Sequence, residues 1–196
     1  MKKKRNNSVK EDILTPVGHS LTGLAVGISA MPSAFSTKKK IIHVLFFIGL
    51  ANIPDVPIPY WGHDLYYISH SFFVNFVLFL FVSFLIWKTV QKIYPTVPVW
   101  RIFLFGWIAW FSHLLLDSFY NHGLGVMIWW PFSEKSLCLP IPWFSVLNAP
   151  MFSITKESIR IWSIEFISYS PLVLIALVLK RMINRRSTFQ GNQPGK

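Results

Sequence analysis

The chain has 196 residues, 53% of them hydrophobic and 14% charged, with a formal net charge of +11. Soluble domains run at about 45 to 50% apolar and about 25% charged, so this composition excludes an ordinary soluble enzyme as well as disordered and collagen-like chains. Eighteen Phe and nine Trp suit a bilayer, which takes Phe in its interior and Trp at its edges. Cys138 is the single cysteine, so no internal disulfide can support the fold. The basic residues cluster in Lys2–Arg5, Lys38–Lys40 and Lys180–Arg186, between apolar stretches. That pattern fits lipid head groups and topology control; membrane lipids, and no nucleic acid, are the expected partners.

A transmembrane helix needs about 20 mostly apolar residues. After a basic tail over 1–14, the first and weakest candidate is 17–36, where Gly23, Gly27 and Ala30 recur at helical spacing. Small residues in that register predict an inner helix packed closely on its neighbours. It does not read as a secretory signal, because His19 and Ser20 interrupt the apolar start and no clean cleavage site follows. The second candidate is 41–58. The linker 52–70 carries Pro54, Pro57 and Pro59, so a helix must end there and its backbone must be sheltered. The third and fourth candidates are 70–87 and 102–120. Residues 121–160 hold Pro131, Pro140, Pro142 and Pro150 with WWPF and PWF clusters, which predicts an interfacial cap rather than a further span. The last candidate is 161–179, before a basic tail over 183–196. The expected architecture is an all-α integral membrane protein: one helical domain over 15–182, four to five transmembrane helices and a cap after the fourth.

Alternating five spans puts Lys38–Lys40, then Lys88, Lys92 and Arg101, then Lys180–Arg186 on one side, which the positive-inside rule makes cytoplasmic. The N-terminal Lys2–Arg5 run then falls on the other side, unless the first segment is re-entrant. The same alternation brings His19, Asp55, His63, Asp64, His70, His113 and Asp117 to one membrane face, whichever face that is. Ionisable residues in or beside spans are costly and mark function by default. His113 and Asp117 in SHLLLD are four apart, one turn along one helix face. His63 and His70 are two turns apart. Imidazole and carboxylate donors without a nearby thiolate suit Zn, Mn or Fe, and a divalent ion makes a hydroxide nucleophile near neutral pH. His43, beside the lysine run, reads as interfacial; Asn121, His122 and Gly123 read as a turn near the site. Ser71 and Ser112 read first as hydrogen-bonding neighbours of His70 and His113. Trp100, Trp107, Trp110, Trp129, Trp130 and Trp143 read as interface and packing aromatics.

Five blocks of the sequence resemble the YdjM-type, LexA-binding, inner membrane-associated metal-dependent hydrolases. They are TPVGHSLTGLAVG around His19, ANIPD with Asp55, HDLYYISHS with His63 and His70, SHLLLDSFYNHG with His113 and Asp117, and WWPFS ending at Ser133. Individually short, they are specific as an ordered set covering about residues 15–135. The resemblance implies a multi-pass inner-membrane protein whose His and Asp residues hold metal for hydrolysis. That family's pattern carries a second Asp two positions after the first, and a basic residue or His after the one matching His63. Here Pro57 and Asp64 stand instead, so a second metal lacks that carboxylate and Asp64 is its partial replacement.

The expected function is therefore hydrolysis of an ester or phosphoester, with a small-molecule or lipid substrate, at a zinc site on one membrane face. His19, Asp55, His70, His113 and Asp117 are the expected ligands. His63 and Asp64 are expected to position or deprotonate the attacking water. No G-x-S-x-G elbow supports an acyl-enzyme route. A proton or metal-ion transporter is the rival reading, predicting a midplane site and a repeated half; a non-catalytic protein with the polar set as helix glue is the third.

Overall fold

The computed structural model describes residues 16–62, 65–95, 97–120, 125–145 and 154–191, the last helix with side chains to residue 185. The helices are α1 (Pro16–Ala30), α2 (Thr37–Ala51), a single turn α3 (Tyr66–Ser69), α4 (Phe72–Ile93), α5 (Val99–Asp117) and α6 (Lys156–Gly191). Among the described residues there is no strand, only one antiparallel bridge between Val126 and Leu137.

Pro16 opens α1 at the position where a missing N–H costs nothing. The Glu165 carboxylate on α6 accepts the Gly18 N–H at 3.0 Å, and negative charge at a helix N-terminus is favourable. α1 packs against α2, α5 and α6 with Gly18, His19, Thr22, Gly23, Ala25 and Gly27 buried. The small residues thus make it the inner helix their spacing predicts. α2 stops at Ala51, and a 3-10 turn over Ile53–Asp55 with Pro54 in it follows.

Among the described residues three helices are long and apolar enough to cross a bilayer: α4, α5 and Lys156–Arg185 of α6. α1 and α2 fall short of the expected spans 17–36 and 41–58, having 15 residues each, about 22 Å against an apolar thickness of about 30 Å. Residues 31–36 form the turn between them, and the prolines after Asn52 stop the second. The apolar core has Phe47 and Leu50 of α2, Phe79 of α4, and Ala109 and Trp110 of α5.

Residues 125–145, the described part of the expected cap, fold without a helix. Leu139 and Ile141 donate their N–H groups to Ser118 O and Phe119 O at 2.7 and 2.8 Å, and Phe72 donates to Ile128 O at 2.9 Å. The segment therefore straps the end of α5 to the start of α4.

A Cβ at Gly23 would stand 2.7 Å from Phe47 O and 2.9 Å from Ile48 Cα, whereas one at Gly49 meets nothing within 4 Å. Gly23→Ala should lower the thermal midpoint of the detergent-solubilised protein, at a cost in the overpacking range of about 1–3 kcal/mol. Gly49→Ala should leave the midpoint unchanged or raise it, since Ala is the better helix former. Equal behaviour of the two variants would refute close α1–α2 packing at Gly23.

Candidate metal centre

Four of the expected ligands converge. Asp55 comes from the 3-10 turn after α2, His70 from the residue between α3 and Ser71, and His113 and Asp117 from the last two turns of α5. One ligand atom from each lies within 4.8 Å of all the others. Among the described residues the side chains of His70, His113 and Asp117 are fully buried and that of Asp55 is 9% exposed, so Asp55 is the member of the four that reaches the surface.

His70 Nε2, His113 Nε2 and Asp117 Oδ2 form a triangle with sides of 3.3, 2.9 and 3.3 Å. Asp55 closes it from above, with Oδ1 3.3 Å from His70 Nε2 and Oδ2 3.5 Å from His113 Nε2. The edge of a tetrahedron built on bonds of about 2.0 Å is about 3.3 Å. His19 lies beside this group: its Nε2 is 3.1 Å from the other Asp117 oxygen, Oδ1, and its ring stacks on His113 at 3.8 Å. That approach has the distance of a charge pair without the angle of a hydrogen bond, so Asp117 Oδ1 and both His19 nitrogens are buried with no hydrogen bond among the described residues.

The tautomers decide what this arrangement needs. His113 Nδ1–H donates to Ala51 O at 2.8 Å. The Ser69 hydroxyl donates to Gly62 O at 2.8 Å, so its oxygen accepts from His70 Nδ1–H at 2.7 Å, with Tyr66 O a second acceptor at 3.1 Å. Both imidazoles therefore turn an Nε2 lone pair toward each other and toward two carboxylates. Acceptors so placed repel unless positive charge lies among them, and backbone anchoring of Nδ1 is how metal-binding imidazoles are held. Burial opposes the charge of Asp55, but the His113 and His70 imidazoles hold its carboxyl well below the usual carboxylate range. For His70, burial works to lower the pKa, and the Asp117 and Asp55 carboxylates outweigh it and raise the imidazole above its ordinary value. Both directions record a demand for cationic charge, and the donor set fits a divalent metal.

A second set of residues braces the first. Trp110 Nε1–H donates to Asn75 Oδ1 at 2.7 Å, and Asn75 Nδ2 donates to Ser69 O and Ser71 O at 2.6 and 2.8 Å. This chain ties α5 through α4 to the backbone on either side of His70. Tyr66 stacks on His70 at 3.8 Å and donates its hydroxyl to Asp117 Oδ2 at 3.3 Å. Sequence reasoning passes over Asn75 and Tyr66 and reads Trp110 as packing only; their roles depend on contacts between helices. It also omits Glu165, although a lone carboxylate inside the apolar run 161–179 is the same signal that marks the ligands.

His63 and Asp64, the expected catalytic pair, lie outside the described residues, as does His122. His43, at the end of the bundle that carries the lysine run, is buried. Burial pushes the Tyr94 hydroxyl up to about 12, so it stays protonated; it donates to His43 Nδ1 at 2.6 Å, and His43 Nε2–H donates to Gly27 O at 2.9 Å. His43 is a satisfied packing residue that joins α1, α2 and the end of α4. Ser71 caps α4, accepting from Val74 N–H, and donates to Trp130 O. The Ser112 hydroxyl donates to Ala109 O at 2.8 Å, a bond within its own helix.

Long apolar helices around a buried His/Asp cluster define a helical membrane protein with a site able to hold a metal ion. The family model described as YdjM inner membrane protein matches residues 14–188, and the chain belongs to that family, which places it in the inner membrane. No curated protein and no solved structure matches the chain.

The bracing chain can be tested apart from the ligands. Asn75→Leu, which unties the backbone beside His70, should weaken zinc affinity by about 10 to 100-fold, the usual cost of losing a group that orients a ligand. The measurement is competition against a chromophoric chelator. Unchanged affinity in a folded variant would show that His70 is held without Asn75.

Proposed function

We propose that this protein is a metal-dependent hydrolase of an ester or phosphoester, working at the head-group level of the membrane face opposite its lysine-rich turns. The observation that supports it most is the convergence of two carboxylates and two Nε2 lone pairs, from three separate segments, at the spacing of one coordination sphere. In this reading α4, α5 and α6 cross the bilayer, and α1 and α2, too short to do so, enter it from the site's face and return. They form a re-entrant hairpin whose turn points toward the basic end of α6, where Lys180 Nζ donates to Met31 O. The site then lies where α1 and α4 begin and α2 and α5 end, a depth occupied by lipid esters and phosphates.

The residues of the site divide the work in this mechanism. His70, His113 and Asp117 are the buried ligands, Asp55 the ligand on the open side, and His19 a fifth donor to the Oδ1 side of Asp117. Zinc is the ion proposed. A divalent ion held there supplies Lewis acidity and a hydroxide nucleophile near neutral pH. Ala51 O and Tyr66 O keep the two Nδ1 protons in place, so both Nε2 atoms remain donors of electron pairs. The Tyr66 hydroxyl holds Asp117 Oδ2 in position. Water and substrate enter past Asp55, and His63 or Asp64, a few residues along the same linker, takes the proton from the attacking water.

Elemental mass spectrometry of detergent-purified protein tests this reading. About one equivalent of a transition metal is expected in the wild type and its loss in folded His70→Ala and Asp117→Ala variants. The loaded wild type, and neither variant, should hydrolyse chromogenic phosphoesters or esters. A folded wild type that is metal-free and cannot be loaded with zinc or manganese would overturn the reading and leave a proton relay or helix glue.

A further inference from the structure

We propose that an open apolar groove along the first half of α4 holds one acyl chain of a membrane lipid, and that such a lipid is the substrate of the neighbouring site. The second part rests on the hydrolase reading; the first does not. The groove has a volume of about 620 Å³ and every residue lining it is apolar, with Trp61, Phe73, Val77, Phe81, Trp130 and Phe132 marking its extent. That size lies within the range of small-molecule pockets, about 300–1,000 Å³. Its outer side is open: Val77 is 66% exposed, Phe81 59% and Phe132 77%. On a helix long and apolar enough to cross a bilayer, such a groove meets hydrocarbon and not water.

Depth chooses among apolar occupants. Phe73 to Phe81 covers about 12 Å of helix, close to the half-thickness of about 15 Å in an apolar core of about 30 Å. The groove therefore starts at the end of α4 that carries His70 and stops near the midplane, as a chain anchored in that leaflet does. A helix of a second copy would run the full thickness.

The upper walls are fastened to the ligand-bearing segments. Trp61 Nε1–H donates at 2.9 Å to the carbonyl of Ile53, two residues before Asp55. The hydroxyl of Ser71, the residue after His70, donates to Trp130 O, and Phe72 N–H donates to Ile128 O at 2.9 Å. A lipid whose chain lies in the groove has its ester and phosphate at the level of Asp55, the one ligand with solvent exposure. The groove thus selects for a long chain, and the site acts on the head-group end.

The experiment uses the full chain in vesicles of phosphatidylethanolamine and phosphatidylglycerol with a trace of phospholipid carrying a diazirine in one acyl chain. After photolysis, peptide mass spectrometry should find adducts concentrated severalfold on residues 73–81 and 130–132 over the exposed face of α6 at Phe166, Ile167 and Leu174. Val77→Trp, which fills the groove, should cut those adducts severalfold with metal content and thermal midpoint unchanged, and Val77→Ala should not. Adducts spread evenly over α4 and α6, adducts indifferent to Val77→Trp, or protein–protein adducts at 73–81 would overturn the groove. For the substrate, Val77→Trp should lower kcat/KM severalfold on a long-chain phospholipid and leave a short-chain soluble ester unaffected; equal effects on both overturn that part. A metal-free, inactive protein that still labels at 73–81 keeps the lipid groove and removes the hydrolase reading, while an active protein labelled evenly does the reverse.

Discussion

Two imidazole lone pairs and two carboxylates face each other across about 3 Å inside a helical bundle, and much of the surrounding structure is arranged to hold them there. Such a group is unfavourable on its own terms, since burial penalises each charge and the acceptors repel. It persists because each member is anchored from behind. Ala51 O holds His113, Tyr66 O and Ser69 Oγ hold His70, and the Tyr66 hydroxyl holds Asp117. The Trp110–Asn75 chain then fixes the backbone that presents His70. A cation at the centre would relieve that repulsion, and the donor set is one that could hold a metal ion.

The packing of α1 serves the same end. Only a helix with glycine at 23 and 27 can lie against the backbone of α2 closely enough for His19 to reach Asp117 on α5. Glu165 secures the other side of α1 by taking the Gly18 N–H, and a Cβ at Gly18 would collide with the Tyr169 ring at 2.6 Å. At the opposite end, His43 and Tyr94 join α1, α2 and α4 through neutral hydrogen bonds. One end of the bundle is thus closed by a satisfied polar pair and the other by a His/Asp set that could hold a metal ion.

Both ends present exposed aromatics, and the lysine-rich turns lie at one of them. The basic turns lie at the His43 end with exposed Trp87 and Trp100, while the site end carries the exposed aromatics Trp129, Phe132 and Trp143 of the strap. Aromatics suit the head-group boundary, and the strap ties them to the helix ends that bear the ligands. The strap, the His/Asp cluster and the start of α4 thus form one continuous end of the bundle.

Much of the site was legible in the sequence. Alternation of spans alone brings His19, Asp55, His70, His113 and Asp117 to one face, and the i, i+4 spacing of SHLLLD makes two of them neighbours, because helical periodicity is a local property. Composition settled the membrane class for the same reason: hydropathy sums over residues and needs no fold. What the sequence left open depends on distances between segments far apart in the chain. The burial of His43, the bracing by Asn75 and Trp110, and the capping of α1 by Glu165 across 147 positions are settled by packing. Tautomers belong there too: which nitrogen of His70 or His113 faces the centre is set by backbone carbonyls that only the tertiary structure brings within reach.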